Sequence, residues 1–289
     1  MHLDHLETFI TVARGGSFSA AAERLHLTQP AVSKRIAALE QAFGARLFDR
    51  LGRRTTLTEA GRLLLTRADE IVAAVDAARR GIADLTGAVR GPVGIATSHH
   101  IGLHRLSPVL RAFRADYPEA RPELHFLESE EACEQVALGN LELAVVTLPL
   151  TPGPRLEVLP LWHDTLHVVR ATGESGPVET LLQGPAILPD RETVTRQIIE
   201  QGFADLGLSL RVELATNALE TIKMLVSIGM GWSVLPHTLL DETLQVVEVP
   251  GLALTRRLGV VREQGRSLSA AGRALLTTLV ACAEPASRG

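Results

Sequence analysis

Gln29, Ser33, Lys34 and Arg53 are residue types that hydrogen-bond base edges or neutralise phosphate, and the first three follow one another closely enough to share one end of a helix. Around them, residues 24–54 carry seven basic side chains (Arg24, Lys34, Arg35, Arg46, Arg50, Arg53, Arg54) against two acidic ones, Glu40 and Asp49, in a chain of 289 residues whose net charge is −4. Phosphate neutralisation supplies most of the sequence-independent affinity for duplex DNA. A cationic patch on an acidic chain therefore points to a module that docks on DNA, not to a chain that coats it.

A second group of reactive types sits after hydrophobic runs. Thr97, Ser98, His99 and His100 follow VGIA, Glu128 and Ser129 follow LHFL, Thr147 ends LELAVVT, and Thr216 and Asn217 follow VELA. In α/β domains ligands bind beyond the carboxyl ends of strands, where hydroxyls and backbone N–H groups suit an anion. Ser98, Ser129 and Asn217 would serve equally well as helix caps. His100 and His104 have the four-residue spacing of metal ligands, with His99 beside them. No cysteine or carboxylate nearby in sequence completes a tetrad, so the histidines read as pocket lining and no metal or cofactor is assigned. Cys133 and Cys282, the two cysteines, lie in apolar helical contexts and read as buried, inert thiols. There is no GxSxG, HExxH, P-loop or Gly-rich dinucleotide turn, so no enzyme is expected.

The elements that must position these groups are legible from hydrophobic spacing. Leu3, Leu6, Phe9, Ile10 and Ala13 mark a first helix; Gly15 and Gly16 stop it, and Ser17 or Ser19 caps a short second one containing Ala20, Ala21, Ala22 and Leu25. Thr28 is placed to cap a third helix with Pro30 in its first turn. Its buried stripe is Val32, Ile36, Leu39 and Phe43, and Gln29, Ser33, Lys34 and Arg35 face outward. ARLFDRLGRRTTLT reads as a two-stranded wing turning at Leu51-Gly52-Arg53-Arg54. From Thr58 to Leu85 a long helix carries Leu64, Ala68, Ile71, Val75, Ala78, Ile82 and Leu85 in alternating steps of four and three, the seam of a coiled coil between two copies of the chain. Beyond a hinge at Gly87–Pro92, strands and helices alternate, which implies a parallel sheet covered by helices.

The segment FITVARGGSFSAAAERLHLTQPAVSKRIAALEQAFGARLFDRLGRRTTLTEAG resembles the DNA-binding part of LysR-type transcriptional regulators, and LELAVVT and ETIKMLVSIGMGWSVLP extend the resemblance over the rest of the chain. The resemblance implies an α/β fold class: an N-terminal winged helix-turn-helix (1–58), a linker helix for dimerisation (59–89) and a two-lobed periplasmic-binding-protein-like effector domain (90–289). Lobe I is expected at about 90–160 and 264–289, and lobe II at about 161–263. It implies DNA contacts from Gln29, Pro30, Ser33, Lys34 and Arg53, and an effector cleft lined by Ser98, His99, His100, Ser129, Thr147 and Asn217. Many relatives carry arginine where this chain has Lys34, and an ammonium lacks the planar fork for bidentate guanine contacts. The cysteines do not match the family's peroxide-sensing branch, whose pair lies in the second lobe. Trp232 replaces a small aliphatic residue and either shapes the cleft or fills core.

The expected function is a cytoplasmic, non-enzymatic regulator that binds an interrupted palindrome in double-stranded DNA as a homodimer or dimer of dimers. A small, anionic effector modulates it, and RNA polymerase is a possible partner. The alternatives are a redox- or metal-responsive regulator of the same architecture, or an enzyme with an appended DNA-binding domain. The N-terminus lacks the pattern of a secretory signal, and no membrane span is expected.

Overall fold

The computed structural model describes residues 2–51, 54–84 and 89–283, and the chain divides into two compact units between residues 86 and 87. In the first, α1 (Leu3–Gly15), α2 (Phe18–Arg24) and α3 (Gln29–Phe43) precede a hairpin of β1 (Phe48–Leu51) and β2 (Arg54–Leu57), followed by α4 (Glu59–Asp84). Helical spacing turns Leu6, Phe9 and Val12 of α1 toward Val32, Ile36 and Leu39 of α3, and the small Ala21 and Ala22 let α2 close over them. Ser17 caps α2 through the Ala20 N–H at 3.4 Å, and Thr58 caps α4 through the Gly61 N–H at 3.0 Å. Phe48 of the hairpin packs on Phe9 and Phe18 with ring centroids 5.3 and 5.6 Å apart, anchoring the wing to the helical core.

Three expectations for this unit need correction. Phe43 is 47% exposed, because the chain turns at Gly44 and Glu40 Oε1 draws in the Leu47 N–H at 2.8 Å, so Leu39 is the last core position of α3. Arg35 does not face outward: its guanidinium donates to Thr8 Oγ1 at 3.1 Å and lies 3.7 Å from the Asp4 carboxylate, tying α3 to α1. The seam of α4 is not a single interchain stripe. Leu64 and Ala68 are buried in the unit's own core, and Asp69 pairs with Arg14 of α1 at 3.0 Å. Only farther along does α4 leave that core; Ile71 and Ala78 are exposed, and so is Leu63 off the seam. The side chains of Ile82 and Leu85 lie outside the described residues.

The second unit runs β3 (Gly91–Thr97), α5 (His99–Ile101), a π turn (Gly102–Leu106), α6 (Ser107–Asp116), β4 (Ala120–Phe126), α7 (Ser129–Ala137) and β5 (Leu143–Thr147). It continues with β6 (Leu156–Ala171), α8 (Val178–Gln183), β7 (Ala186–Leu188), α9 (Val194–Asp205), β8 (Val212–Ala215), α10 (Leu219–Ser227), β9 (Ser233–Pro236), a 3-10 turn (His237–Leu239), β10 (Leu244–Val246), β11 (Leu254–Glu263) and α11 (Ala270–Cys282). β3 pairs in parallel with β4 and β5, and β7 with β8, as the alternation demands. The sheet is nevertheless mixed. β11 runs antiparallel to both β5 and β6, and β6 runs antiparallel to β9 and β10.

The reason is that β6 and β11 serve two lobes in turn. Trp162 and Leu258 join the core under α6 and α11, whereas Leu166, Val168 and Leu254 belong to the core under α9. Hydrophobic patterning marks only a short strand at LHVVR, and a proline within a strand, such as Pro160, commonly marks an edge or a bulge. Pro160 instead lies opposite Gly259, where the register slips between Leu258 and Gly259. A Cβ on Gly259 would overlap the Leu159 carbonyl oxygen, so only glycine fits this crossing. The elements α8 and β10 were not expected from sequence.

Candidate functional site

The buried stripe of α3 fixes its roll and leaves Gln29, Pro30 and Lys34 exposed and Ser33 half-buried at its N-terminal end. There the unsatisfied N–H groups and the positive end of the helix dipole favour a phosphate or a base acceptor. Thr28 has N-cap backbone angles, but its hydroxyl makes no cap bond, contrary to expectation. Gln29 Nε2 donates to Ser33 Oγ at 3.4 Å, which holds the amide over the outward face. Four of the five expected DNA-contacting residues thus share one surface. Arg53, the fifth, lies outside the described residues.

In the second unit Ser98, His99, His100, Ser129, Thr147 and Asn217 all line one cleft of about 680 Å³ between the lobes. Ser98 Oγ caps α5 by accepting from the Ile101 N–H at 3.4 Å. Ser129 and Asn217 do other work: Ser129 Oγ accepts the Thr147 N–H at 3.1 Å, and Asn217 Oδ1 accepts the Asp190 N–H at 2.9 Å. Each hydroxyl or amide keeps donors for a ligand. His99 stacks flat on Phe126, centroids 4.7 Å apart. Gly102 permits it, since a Cβ there would stand 2.8 Å from Phe126 Cε1. Glu128 lines the cleft too, its carboxyl raised above the usual range by burial and by the nearby charges of Glu130 and Asp190.

Sequence reasoning missed the cleft floor. Arg256 of β11, 3% exposed, donates through Nε and Nη2 to Asp164 Oδ2 at 2.9 and 2.8 Å and through Nη1 to Thr195 Oγ1 at 3.1 Å. Arg105 Nη2 approaches the other oxygen of Asp164 at 3.4 Å. Two guanidiniums against one carboxylate leave net positive charge beneath the cleft, and of the three groups Arg256 lines it. Two further bonds cross between lobes: Val194 N–H to Glu130 Oε1 at 2.8 Å, and Thr238 Oγ1 with His100 Nε2 at 3.1 Å. Burial, then Arg256 and His104, push His100 down to about 3, so its imidazole is neutral at physiological pH.

Trp232 is fully buried in lobe II with Nε1 bonded to the Gly184 carbonyl at 3.3 Å; it fills core and does not line the cleft. His163 is exposed on β6, and His167 packs near His237 with centroids 5.7 Å apart. Cys133 packs on the core under α7, where burial and the adjacent Glu130 and Glu134 push its thiol up to about 11. Because the thiolate is the reacting form, iodoacetamide labelling of Cys133 at pH 8 is expected to be at least tenfold slower than that of an unstructured cysteine peptide, and to keep rising by about tenfold per pH unit beyond about pH 9, where the peptide's rate levels off. Peptide mapping by mass spectrometry reads this out. Labelling at the peptide's rate would restore a redox role.

Comparison with known proteins agrees with this architecture. Residues 3–62 match the bacterial regulatory helix-turn-helix model of the lysR family, and residues 86–283 match the LysR substrate binding domain. A probable RuBisCO transcriptional regulator of Cyanophora paradoxa is 30% identical over 287 residues, covering 94% of this chain and 89% of that protein. An uncharacterized HTH-type transcriptional regulator in the ibpB-leuC intergenic region of Azotobacter vinelandii is 63% identical over 108 residues, 37% of this chain and 75% of that one. CbnR, a LysR family transcriptional regulator of known crystal structure, shares the fold with a TM-score of 0.73 at 21% identity, over 99% of this chain and 100% of that one. Full-length CbnR complexed with its target DNA gives 0.72 at 21% identity over 98% and 100%. Among the described residues no helix is long and apolar enough to cross a membrane. With both of its units accounted for by the two family domains, the chain belongs to the LysR family and is a DNA-binding transcriptional regulator with an effector-binding domain.

Proposed function

We propose that the protein is a cytoplasmic homodimer, assembling further as a dimer of dimers, that reads an interrupted palindrome through Gln29, Pro30, Ser33, Lys34 and Arg53. It changes its action at promoters, and its engagement of RNA polymerase, when a small polar effector fills the cleft. The chain acts by binding and has no catalytic role. The domain limits follow the sequence reading: head 1–58, linker helix 59–89, effector domain 90–289. The observation that supports the reading most is the convergence of Ser98, His99, His100, Ser129, Thr147 and Asn217 on one cleft over a cationic floor. Glu128, Glu130 and Glu220 stand on the same walls. Three carboxylates against that floor favour an effector with a single anionic group and hydrogen-bond donors, such as a hydroxy or amino acid, over a polyanion.

Effector binding acts only through a difference in affinity between lobe arrangements. β6 and β11 pass between the lobes, and the contacts Glu130–Val194 and His100–Thr238 bridge them, so a ligand in the cleft bears on all four segments. A thermal-shift panel of monocarboxylic hydroxy and amino acids, polycarboxylates and inorganic anions tests the reading. One class is expected to stabilise the protein by about 2.7 kcal/mol at a hundred times its dissociation constant, and Ser129→Ala is expected to abolish that shift. A panel stabilised only by polyanions, or by no polar compound at all, would refute it.

A further inference from the structure

His100 on α5, His104 in the π turn and Glu220 in the first turn of α10 are not explained by effector capture alone. Their atoms His100 Nδ1, His104 Nε2 and Glu220 Oε1 lie within 4.8 Å of one another, with Glu220 Oε1 at 3.6 Å from the first and 3.8 Å from the second. All three atoms are shut off from solvent and none has a hydrogen-bond partner. His100 itself is only 5% exposed. Three polar atoms that converge out of solvent with no hydrogen bond of normal length, facing one another only at ion-pair distance, carry a desolvation cost that a shared cation would relieve.

The orientation of His100 points to that partner. Its Nε2 stands 3.1 Å from Thr238 Oγ1. With Nε2 carrying the hydrogen and donating to that hydroxyl, the Nδ1 lone pair is left facing His104 and Glu220, which is how an outer-shell group orients a metal-binding imidazole. In a tetrahedral site with bonds of about 2.0–2.1 Å, ligand atoms stand about 3.3 Å apart. The two carboxylate–imidazole separations need to close by only about 0.3–0.5 Å, and the two imidazole nitrogens, within 4.8 Å of each other, by a side-chain rotation. Two imidazole nitrogens and one carboxylate suit zinc, cobalt, nickel or copper; magnesium and calcium favour oxygen alone.

We propose that His100, His104 and Glu220 bind one divalent first-row transition-metal ion, leaving an open coordination position toward the cleft that His100 and Glu220 also line. The histidines come from lobe I and the carboxylate from lobe II, so the ion ties the lobes together and favours one arrangement of them. That regulatory consequence rests on the cleft being the effector site; the binding does not. Sequence spacing alone lacked the third ligand, because Glu220 is distant in the chain and stands where a helix N-terminus commonly carries an acid.

The test uses tag-free full-length protein stripped with EDTA and titrated with Zn²⁺ by calorimetry, with Co²⁺ by visible absorption and with Mg²⁺ as a control. One Zn²⁺ per chain and the intense ligand-field bands of four-coordinate Co²⁺ are expected, with no Mg²⁺ binding. His104→Asn and Glu220→Gln, both on partly exposed side chains, are expected to weaken Zn²⁺ by more than the roughly ten- to hundredfold that losing an outer-shell partner costs, with unchanged far-UV circular dichroism. Absence of stoichiometric Zn²⁺ binding, octahedral Co²⁺ spectra, or unchanged affinity in the folded variants would each overturn the site. The titrations contain no organic ligand. A negative result therefore removes the metal and leaves the effector panel standing, whereas a silent panel with a positive titration removes the organic effector and leaves the metal.

Discussion

Arg256→Met is expected to lower the stability of the effector-binding unit by about 3 kcal/mol. The substitution strips Asp164, only 2% exposed, of the guanidinium that gives it two hydrogen bonds. Breaking a buried ion pair from one side costs about 3–5 kcal/mol, because the remaining charge stays buried. Arg105, 3.4 Å from the other carboxylate oxygen, compensates in part and sets the expectation at the lower end. The two tryptophans, Trp162 and Trp232, both lie in the second unit, so urea unfolding followed by tryptophan fluorescence reports that unit alone. The pair Arg256→Met with Asp164→Leu, which removes both charges, is expected to recover most of the loss. A single variant within about 0.5 kcal/mol of the parent, the range of neutral surface changes, would show that the pair does not hold the lobe crossing.

The double variant Gln29→Ala and Lys34→Ala is expected to lose about 2–6 kcal/mol of binding to the protein's cognate DNA, which is roughly thirtyfold or more at 1.4 kcal/mol per factor of ten. Each residue is exposed at the start of α3, outside the stripe of Val32, Ile36 and Leu39 that holds the helix in place. Their removal should therefore spare folding. The singles separate base reading from phosphate contact. Loss at Gln29 should relax preference at one adenine, whereas loss at Lys34 through a phosphate should weaken all sequences alike and flatten the salt dependence by about one unit of slope. Fluorescence anisotropy over a salt series measures both, and equal affinity of parent and double variant for DNA would exclude α3 as the reading element.

Much of this architecture was legible because periodicity reports burial directly. The steps of three and four placed Leu6, Phe9, Val32, Ile36 and Leu39 on the inner faces of α1 and α3, while Val12 was missed and Phe43 proved exposed, and the rule that ligands gather beyond strand ends brought the six residues named from sequence to one cleft. What stayed hidden depends on partners remote in the chain. Asp164 and Arg256 sit in strands where a charge normally marks the solvent face, and only their pairing across β6 and β11 reveals them as buried. The same blindness hid Glu220 behind its place at a helix start and turned Arg35 outward when Thr8 and Asp4 were waiting on α1. Only the LHVVR end of the long β6 was legible, because the match of Pro160 with Gly259 cannot be inferred from either residue alone. The first two seam positions of α4, Leu64 and Ala68, were misassigned for a related reason: the apolar stripe meets the unit's own core there before it leaves that core.

In the proposed function, copies of this chain present the N-terminal end of α3 in pairs to the major groove. Selection of full-length protein against a pool of randomised duplex DNA addresses it most directly. Enrichment of two inverted half-sites with centres about one helical turn, or a whole number of turns, apart is expected, together with loss of that enrichment in the Gln29→Ala and Lys34→Ala variant. A pool that emerges with no common sequence, or with a single unpaired half-site, would contradict it.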